Sequence, residues 1–355
     1  MIDVIEKADR SSLSRFAEIL DVRSPAEFAE DHIPGAINLP VLGNEERAEV
    51  GTIYVQDSRL RARRIGAAYV ARNIAGHLQG PLADRDGAYA PLVYCWRGGQ
   101  RSNAMATVLS QVGWRVSVLA GGYKTYRRQV TARLYDGLPP PRVILLDGDT
   151  GCAKTEILGR LAARGVQTLD LEGLAEHRGS VFGAMAGRPQ PSQKMFESRL
   201  LAGLEALDPA RPVVVEAESS KIGQRMNPPT LWKAMLTAPR IEIRASAPAR
   251  AGYLVSAYGD VVQDREALAA ILARLPGRHG AARVKSWRDL ADAGAYEALA
   301  AELIEHHYDP AYRRSSRTDS RLRIGVIDMP ALSDAAQEAA ADEIASLVAA
   351  SVGTV

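Results

Sequence analysis

Short apolar runs, largely β-branched, recur along this chain with stretches of helical period between them: Glu18–Val22, Leu92–Tyr94, Val116–Leu119, Val143–Leu146, Val213–Val215 and Ile241–Ile243. A strand that pairs in parallel with its neighbour is reached only through a crossover, usually a helix. The alternation therefore predicts an α/β fold with mainly parallel sheets. One segment interrupts it. Asp136-Gly137-Leu138-Pro139-Pro140-Pro141 cannot continue a helix, and a new buried strand follows at once. The expected division is a first domain over 1–135, a linker over 136–141 and a second domain over 142–330. Beyond Pro330 an Ala-rich amphipathic run predicts a terminal helix within 331–355, packed on the second domain. A length of 355 residues suits two domains of ordinary size.

Composition removes several classes of function. No run approaches the roughly 20 apolar residues of a membrane span, so no membrane partner is expected. Asp3, Glu6, Asp9 and Arg10 stand where a secretory leader would be apolar, which makes a cytoplasmic location the expectation. Two cysteines, Cys95 and Cys152, are too few for a disulfide framework or a Cys-rich zinc site. The six histidines show no ligand spacing, and at His306-His307 adjacent rings point to different helix faces, so no metal centre is expected. A net charge of +2 means that any polyanion must be met by local patches.

The segment Leu92-Val93-Tyr94-Cys95-Trp96-Arg97-Gly98-Gly99-Gln100-Arg101-Ser102 reads as a strand, a tight glycine-containing loop and a helix starting near Arg101. Such a loop aims backbone N–H groups at one point. With the helix dipole and Arg101 it would hold an anion or a thiolate, and the same field lowers the pKa of a thiol. A lone cysteine is otherwise a small buried hydrophobe, but flanking glycines and two arginines suit the reactive role better. Cys95 is the candidate nucleophile, and Arg97, Gly98, Gly99, Gln100, Arg101 and Ser102 are its candidate cradle.

These residues, with Asp21-Val22-Arg23-Ser24-Pro25-Ala26-Glu27-Phe28, His32-Ile33-Pro34-Gly35-Ala36 and Leu119-Ala120-Gly121-Gly122-Tyr123, make residues 5 to 130 resemble a rhodanese domain. The resemblance implies a cysteine that takes up a chalcogen and passes it on. Five residues separate Cys95 from Arg101, one more than is usual in sulfur-transfer rhodaneses. That wider loop admits a larger anion. It also matches the Cys-x5-Arg pattern of phosphatases that share the fold, which keeps a phosphatase or arsenate reductase open as an alternative, although Tyr94 stands where those enzymes usually carry His.

Val143–Leu146 leads into Gly148-Asp149-Thr150-Gly151-Cys152-Ala153-Lys154-Thr155, followed by a helix of apolar period, which is the Walker A pattern in its strand-loop-helix context. The loop amides would wrap a diphosphate, Lys154 would neutralise it, and Thr155 would bind a phosphate or a magnesium ion. Ala153 replaces the second glycine of the pattern; a right-handed helical backbone is expected there, giving a reshaped cradle. Cys152 is expected to be a small filler. Glu216 and Glu218, ending a second acidic strand, are candidates to position metal-bound water, or else partners for Lys221 or Arg225.

Arg59, Arg61, Arg63, Arg64 and Arg72 fall on one predicted helix, and Arg313, Arg314, Arg317, Arg321 and Arg323 cluster late in the chain. Such runs are usually solvated faces, yet arginine suits phosphate and base contacts, so both patches are candidate RNA contacts. Tyr308 and Tyr312 are candidates for stacking or for burial. From Asp3 to beyond Arg323 the chain resembles the tRNA 2-selenouridine synthase family. The resemblance is carried by both loops and by Asn44–Tyr54, His177-Arg178-Gly179-Ser180-Val181-Phe182-Gly183 and Gln190-Pro191-Ser192-Gln193. It implies tRNA as partner, selenophosphate and geranyl diphosphate as co-substrates, geranylation of a wobble 2-thiouridine followed by replacement with selenium, and Arg178 and Gln193 as further substrate contacts. A nucleotide-gated RNA-binding module with a structural cysteine remains a third reading of the residues.

Overall fold

The computed structural model describes residues 2–137, 141–185, 187–275, 279–316 and 321–351, with backbone alone at 313–316. Two units are present: Met1–Leu138 with Pro191–Glu205, and Pro139–Gln190 with Ala206–Val355.

The first unit holds β1 (Asp3–Ile5), β2 (Glu18–Asp21), β3 (Ile37–Asn38), β4 (Pro91–Tyr94) and β5 (Ser117–Leu119) in one sheet of order β1-β5-β4-β2-β3. Every pairing is parallel. All four residues of β4 are buried. Leu20, Val93, Met105, Leu109 and Val118 form the core between sheet and helices. A pair of helices, Asn44–Gln56 and Arg59–Gln79, forms the long crossover from β3 to β4.

The sequence pattern predicts a second domain unbroken from 142 to 330, whereas residues 191–205 cluster with the first unit. Helix Gln193–Ala206 buries Met195, Phe196, Leu200 and Leu201 there. Its Glu197, also buried, meets Arg127 of helix Gly122–Ala132 and accepts a hydrogen bond from Tyr135 at 2.9 Å. Apolar periodicity shows that a helix is buried and cannot show against what.

The second unit holds β6 (Val143–Gly148), β7 (Gln167–Leu169), β8 (Val213–Glu216), a two-stranded ribbon of β9 (Lys221–Ile222) and β10 (Arg225–Met226), then β11 (Arg240–Ala245) and β12 (Arg323–Met329). Its main sheet has the order β12-β11-β6-β8-β7, again wholly parallel. Helix Asp334–Ser351 packs on helix Lys154–Ala163 through buried Ala341 and Ile344, and Arg160 of the latter and Arg164 just after it pair with Asp334, Glu338 and Asp342. Between β11 and β12 a group of helices builds its own core from Leu268, Leu272, Val284, Trp287 and Leu303. In both sheets the candidate loop leaves the C-terminal end of an inner strand, β4 or β6, which is where open parallel sheets bind ligands.

Candidate active site

Cys95 follows β4 directly, and its loop is locked from behind. Gly98 has φ +63°, and a Cβ there would lie 2.8 Å from Leu119 O and from Gly121 N. Gly122 has φ +56°, and a Cβ there would collide with the Cys95 carbonyl. Only glycine permits this approach. The Tyr123 amide donates to Cys95 O at 2.8 Å and that of Lys124 to Trp96 O at 3.1 Å. The thiol is thereby aimed at the start of helix Gln100–Val112: the Gly99 amide donates to Sγ at 3.3 Å, and Ser102 Oγ lies 3.2 Å from it. Burial opposes ionisation of Cys95. The Ser102 hydroxyl and the amides of Gly99, Ser102 and Arg97 outweigh it, so the thiol sits below its ordinary pKa.

The expectation that Arg101 faces the anion is corrected. Its guanidinium donates to Glu27 Oε2 at 2.7 Å and to Oε1 at 3.3 Å, which leaves backbone amides and Ser102 as the groups around sulfur. Arg97 is exposed. Beneath the loop the sequence reading missed a buried support. Arg23, 1% exposed, pairs with Asp21 and stacks 4.1 Å from the Tyr123 ring centroid, while Tyr123 donates to Asp31 Oδ2 at 2.7 Å. A basic residue two positions past an acidic one at a strand end was the available signal.

In the second unit Gly148 and Gly151 take φ +150° and +87°. Ala153 has φ 58° and ψ 32°, a left-handed conformation, contrary to the right-handed one expected from sequence. The cradle needs this backbone whichever residue occupies it, and alanine bears the strain. Lys154 Nζ donates to Gly148 O at 2.8 Å. Burial opposes its charge, but Tyr312, Glu218 and Glu172 outweigh this and raise its pKa, keeping it cationic. Cys152 is 1% exposed inside the core, and burial raises its pKa, as suits a filler.

Thr155 Oγ1 donates to Glu216 Oε1 at 2.6 Å and lies 3.3 Å from Glu172 Oε2. Burial first, then neighbouring carboxylates, raises the pKa of both Glu172 and Glu216. Glu216 Oε2 is buried without a hydrogen-bond partner among the described residues, and neither Glu216 nor Glu218 shows an ion pair with Lys221 or Arg225. Among the described residues no group of three or more His, Cys, Asp or Glu is arranged to hold a metal ion. The loop faces a cavity of about 1170 Å³ whose wall includes Lys154, Thr155, Glu172, Arg178, Glu218 and Tyr312. Tyr308 lines it too, as do both His306 and His307, which a π-helical turn over Ile304–Tyr308 brings to the same wall. Arg178 is held there by Asp260 at 3.0 Å and by the Tyr258 ring at 4.8 Å. Arg250, missed from sequence, is buried beneath the loop, bonded twice to Asp309 at 2.9 Å and to Thr150 O at 3.2 Å.

The family model for the tRNA 2-selenouridine synthase AAA domain matches residues 141–340, and that for the rhodanese-like domain matches 4–129. A tRNA 2-selenouridine synthase of Chromohalobacter salexigens is 33% identical over 83% of this chain and 87% of its own. The chain belongs to the tRNA 2-selenouridine synthase family. Relatives of the same name from Cupriavidus pinatubonensis and Nitrosomonas europaea are 31% and 36% identical, over 83% and 58% of this chain and 87% and 54% of theirs.

In this member of the tRNA 2-selenouridine synthase family the candidate RNA contacts divide. Arg59, Arg61, Arg63 and Arg64 do share helix Arg59–Gln79 and are exposed. Arg61 is paired with Asp57 at 2.6 Å and Arg72 with Glu46, and Arg59 lies over the Tyr54 ring at 5.5 Å. Gln193 donates to Glu197 at 3.0 Å within the first unit and helps hold that buried carboxylate. Arg317 and the side chains of Arg313 and Arg314 lie outside the described residues. No helix among the described residues is long and apolar enough to cross a membrane.

Proposed function

We propose that this chain converts 2-thiouridine at the wobble position of tRNA to 2-selenouridine through an S-geranylated intermediate, with geranyl diphosphate and selenophosphate as co-substrates. The observation that carries the reading is the Cys95 thiol, held below its ordinary pKa by amides and Ser102 at a helix start, in a chain that also bears a phosphate loop. The relatives' shared name is what brings tRNA and selenium to it.

In the first stage the amides between Gly148 and Thr155 and the Lys154 ammonium hold the diphosphate. The 2-thiouridine sulfur forms a bond to the first carbon of the geranyl group as the carbon–oxygen bond breaks and diphosphate leaves. Lys154 stabilises the charge that collects on the departing oxygen. Thr155 and Glu216, with its unpartnered Oε2, are the donors that would hold a magnesium ion, which would add to that neutralisation. A hydrocarbon tail would meet an apolar and aromatic wall close to the loop. Beside the phosphate cavity lies a smaller one of about 70 Å³, lined by Phe182, Val255, Leu268 and Leu299 and sharing Leu254, Tyr258 and Tyr308 with it.

In the second stage selenophosphate, held at the Cys95 loop, forms a bond from selenium to the base carbon as the geranyl thiolate departs, and water then cleaves the selenium–phosphorus bond to release phosphate. Alkylation is what makes sulfur a leaving group there. The competing Cys-x5-Arg phosphatase reading needs Arg101 on the substrate phosphate, whereas Glu27 engages it twice. Nucleoside mass spectrometry of tRNA treated with both co-substrates tests the assignment. Lys154→Ala should abolish geranylation, and Cys95→Ala should accumulate geranylated nucleoside without selenium. Full selenation by the Cys95 variant would overturn it.

A further inference from the structure

Within the first unit, helices Asn44–Gln56, Arg59–Gln79 and Gln100–Val112 enclose a chamber of about 780 Å³ that neither stage above uses. That is the size of a small-molecule site, roughly 300–1,000 Å³. It opens beside the Cys95 loop, since Gln100 and Arg101, the residues that follow Gly99, form part of its wall. Apart from Arg47, Arg63 and Tyr54 the remaining wall is apolar, with Val50, Val70, Ile74 and Val108 prominent in it. At one end the helices close on each other: a Cβ on Gly66 would meet Val50 at 3.3 Å.

Two cations stand in this apolar frame. Arg47 and Arg63 both line the chamber and are exposed; among the described residues neither side chain has a hydrogen bond or close ion pair, and Arg47 interacts with the charge of Glu27 at longer range. Exposed guanidinium groups on the wall of an apolar chamber are free to take an anion, and a phosphate fits their planar fork. A nucleobase alone would suit the wall badly, because its hydrogen-bonding edge would mostly face valine and isoleucine, with Gln100 and Tyr54 as the uncharged polar side chains in reach. A hydrocarbon chain joined to a phosphate-flanked nucleoside satisfies both features.

We propose that this chamber binds the nucleotide of the RNA substrate whose base carries an S-linked hydrocarbon chain, with the chain against Val50, Val70 and Val108 and the flanking phosphates on Arg47 and Arg63. The assignment rests on the alkylated intermediate proposed above. It gives the first unit a means of telling alkylated from unalkylated RNA before selenium is committed, and a place for the departing thiol.

The test is binding of the full chain to two tRNA anticodon stem-loops, one with S-geranyl-2-thiouridine and one with 2-thiouridine at the wobble position. The wild type should prefer the alkylated stem-loop at least tenfold. Ala67→Trp, which fills the chamber from the exposed face of helix Arg59–Gln79, should cut that preference below threefold. Val55→Trp, at an 81% exposed position on the rim, is the second blocking variant should the first fail to fold. Arg47→Ala with Arg63→Ala should weaken both stem-loops alike and flatten the salt dependence by about two phosphate contacts. A folded blocking variant that keeps the tenfold preference overturns the proposal, as does a wild type without preference. Alkylation of tRNA from geranyl diphosphate is measured separately by mass. Its absence alongside an intact preference would fault the first stage and leave the chamber standing.

Discussion

Arg101 grips Glu27 through two hydrogen bonds, at 2.7 Å and 3.3 Å, so the cation at the head of the helix behind Cys95 is engaged before any substrate arrives. Glu27 also accepts the Ser24 amide at 3.1 Å and so fastens helix Pro25–Glu30. Burial opposes its charge, but Arg101 outweighs burial and holds the carboxyl below its usual range. A depressed carboxyl contributes stability above its unfolded value of about 4.5, and that contribution is lost as pH falls through the folded value. Glu27→Gln should therefore destabilise the chain by about 1 kcal/mol at pH 7, with the gap closing in acid. Denaturant melts at pH 7 and pH 4 check this, and equal midpoints at pH 7 would count against a structural role for the pair.

Cys95 depends on Ser102 more directly. With Sγ 3.2 Å from the hydroxyl, Ser102→Ala removes the strongest of the contacts that favour the thiolate. The variant should react with iodoacetamide about 3–10-fold more slowly at neutral pH, and its alkylation midpoint should move to higher pH. Ser102 is buried beside the loop, so a thermal melt must accompany the rates. Unchanged alkylation in a folded variant would mean that the backbone amides act alone.

Ala153 offers a test of strain. At φ 58° and ψ 32° it occupies a conformation that costs an L-residue roughly 1–2 kcal/mol and glycine almost nothing. Glycine loses part of that gain through its freer unfolded chain, so Ala153→Gly should raise stability by about 0.5–1 kcal/mol. Pyrophosphate affinity should hold. Calorimetric melting checks the first point and titration of pyrophosphate the second. A lower melting temperature would show that the alanine methyl, 3% exposed, packs well enough to offset its strain.

What the sequence disclosed about this molecule follows from the range of each signal. The parallel strands were readable because Val143–Leu146 and Val213–Val215 are buried on both faces and need no alternation. Both loops were readable because glycine spacing is local. The left-handed backbone at Ala153 was not, because residue type gave no warning that the cradle would impose it. Nor was the destination of helix Gln193–Ala206, whose apolar residues would suit either unit. Arg101 shows the same limit: its sequence position beside Cys95 is local, while its partner Glu27 lies 74 residues away and is set by the tertiary fold. The acidic strand end was legible as Glu216 and Glu218, but Glu172 joined that cluster from a separate segment.

Glu172 and Glu216 test the acidic cluster as a unit. Burial, followed by the charges of Glu216 and Glu218, raises the Glu172 carboxyl, and burial followed by Asp170 raises Glu216. A carboxyl raised on folding supports the fold most below its unfolded value of about 4.5, and that support is lost as pH rises through the folded value. At pH 8, still below the folded value of about 10, the wild type must keep Glu172 protonated although the unfolded side chain would ionise, a cost that Glu172→Gln does not bear. The variant should be more stable by about 1 kcal/mol at pH 8, with the difference shrinking toward pH 4.5. Thermal melts across that range check it. Parallel curves for the two proteins would mean that the cluster shares no proton and that Lys154 already balances its charge.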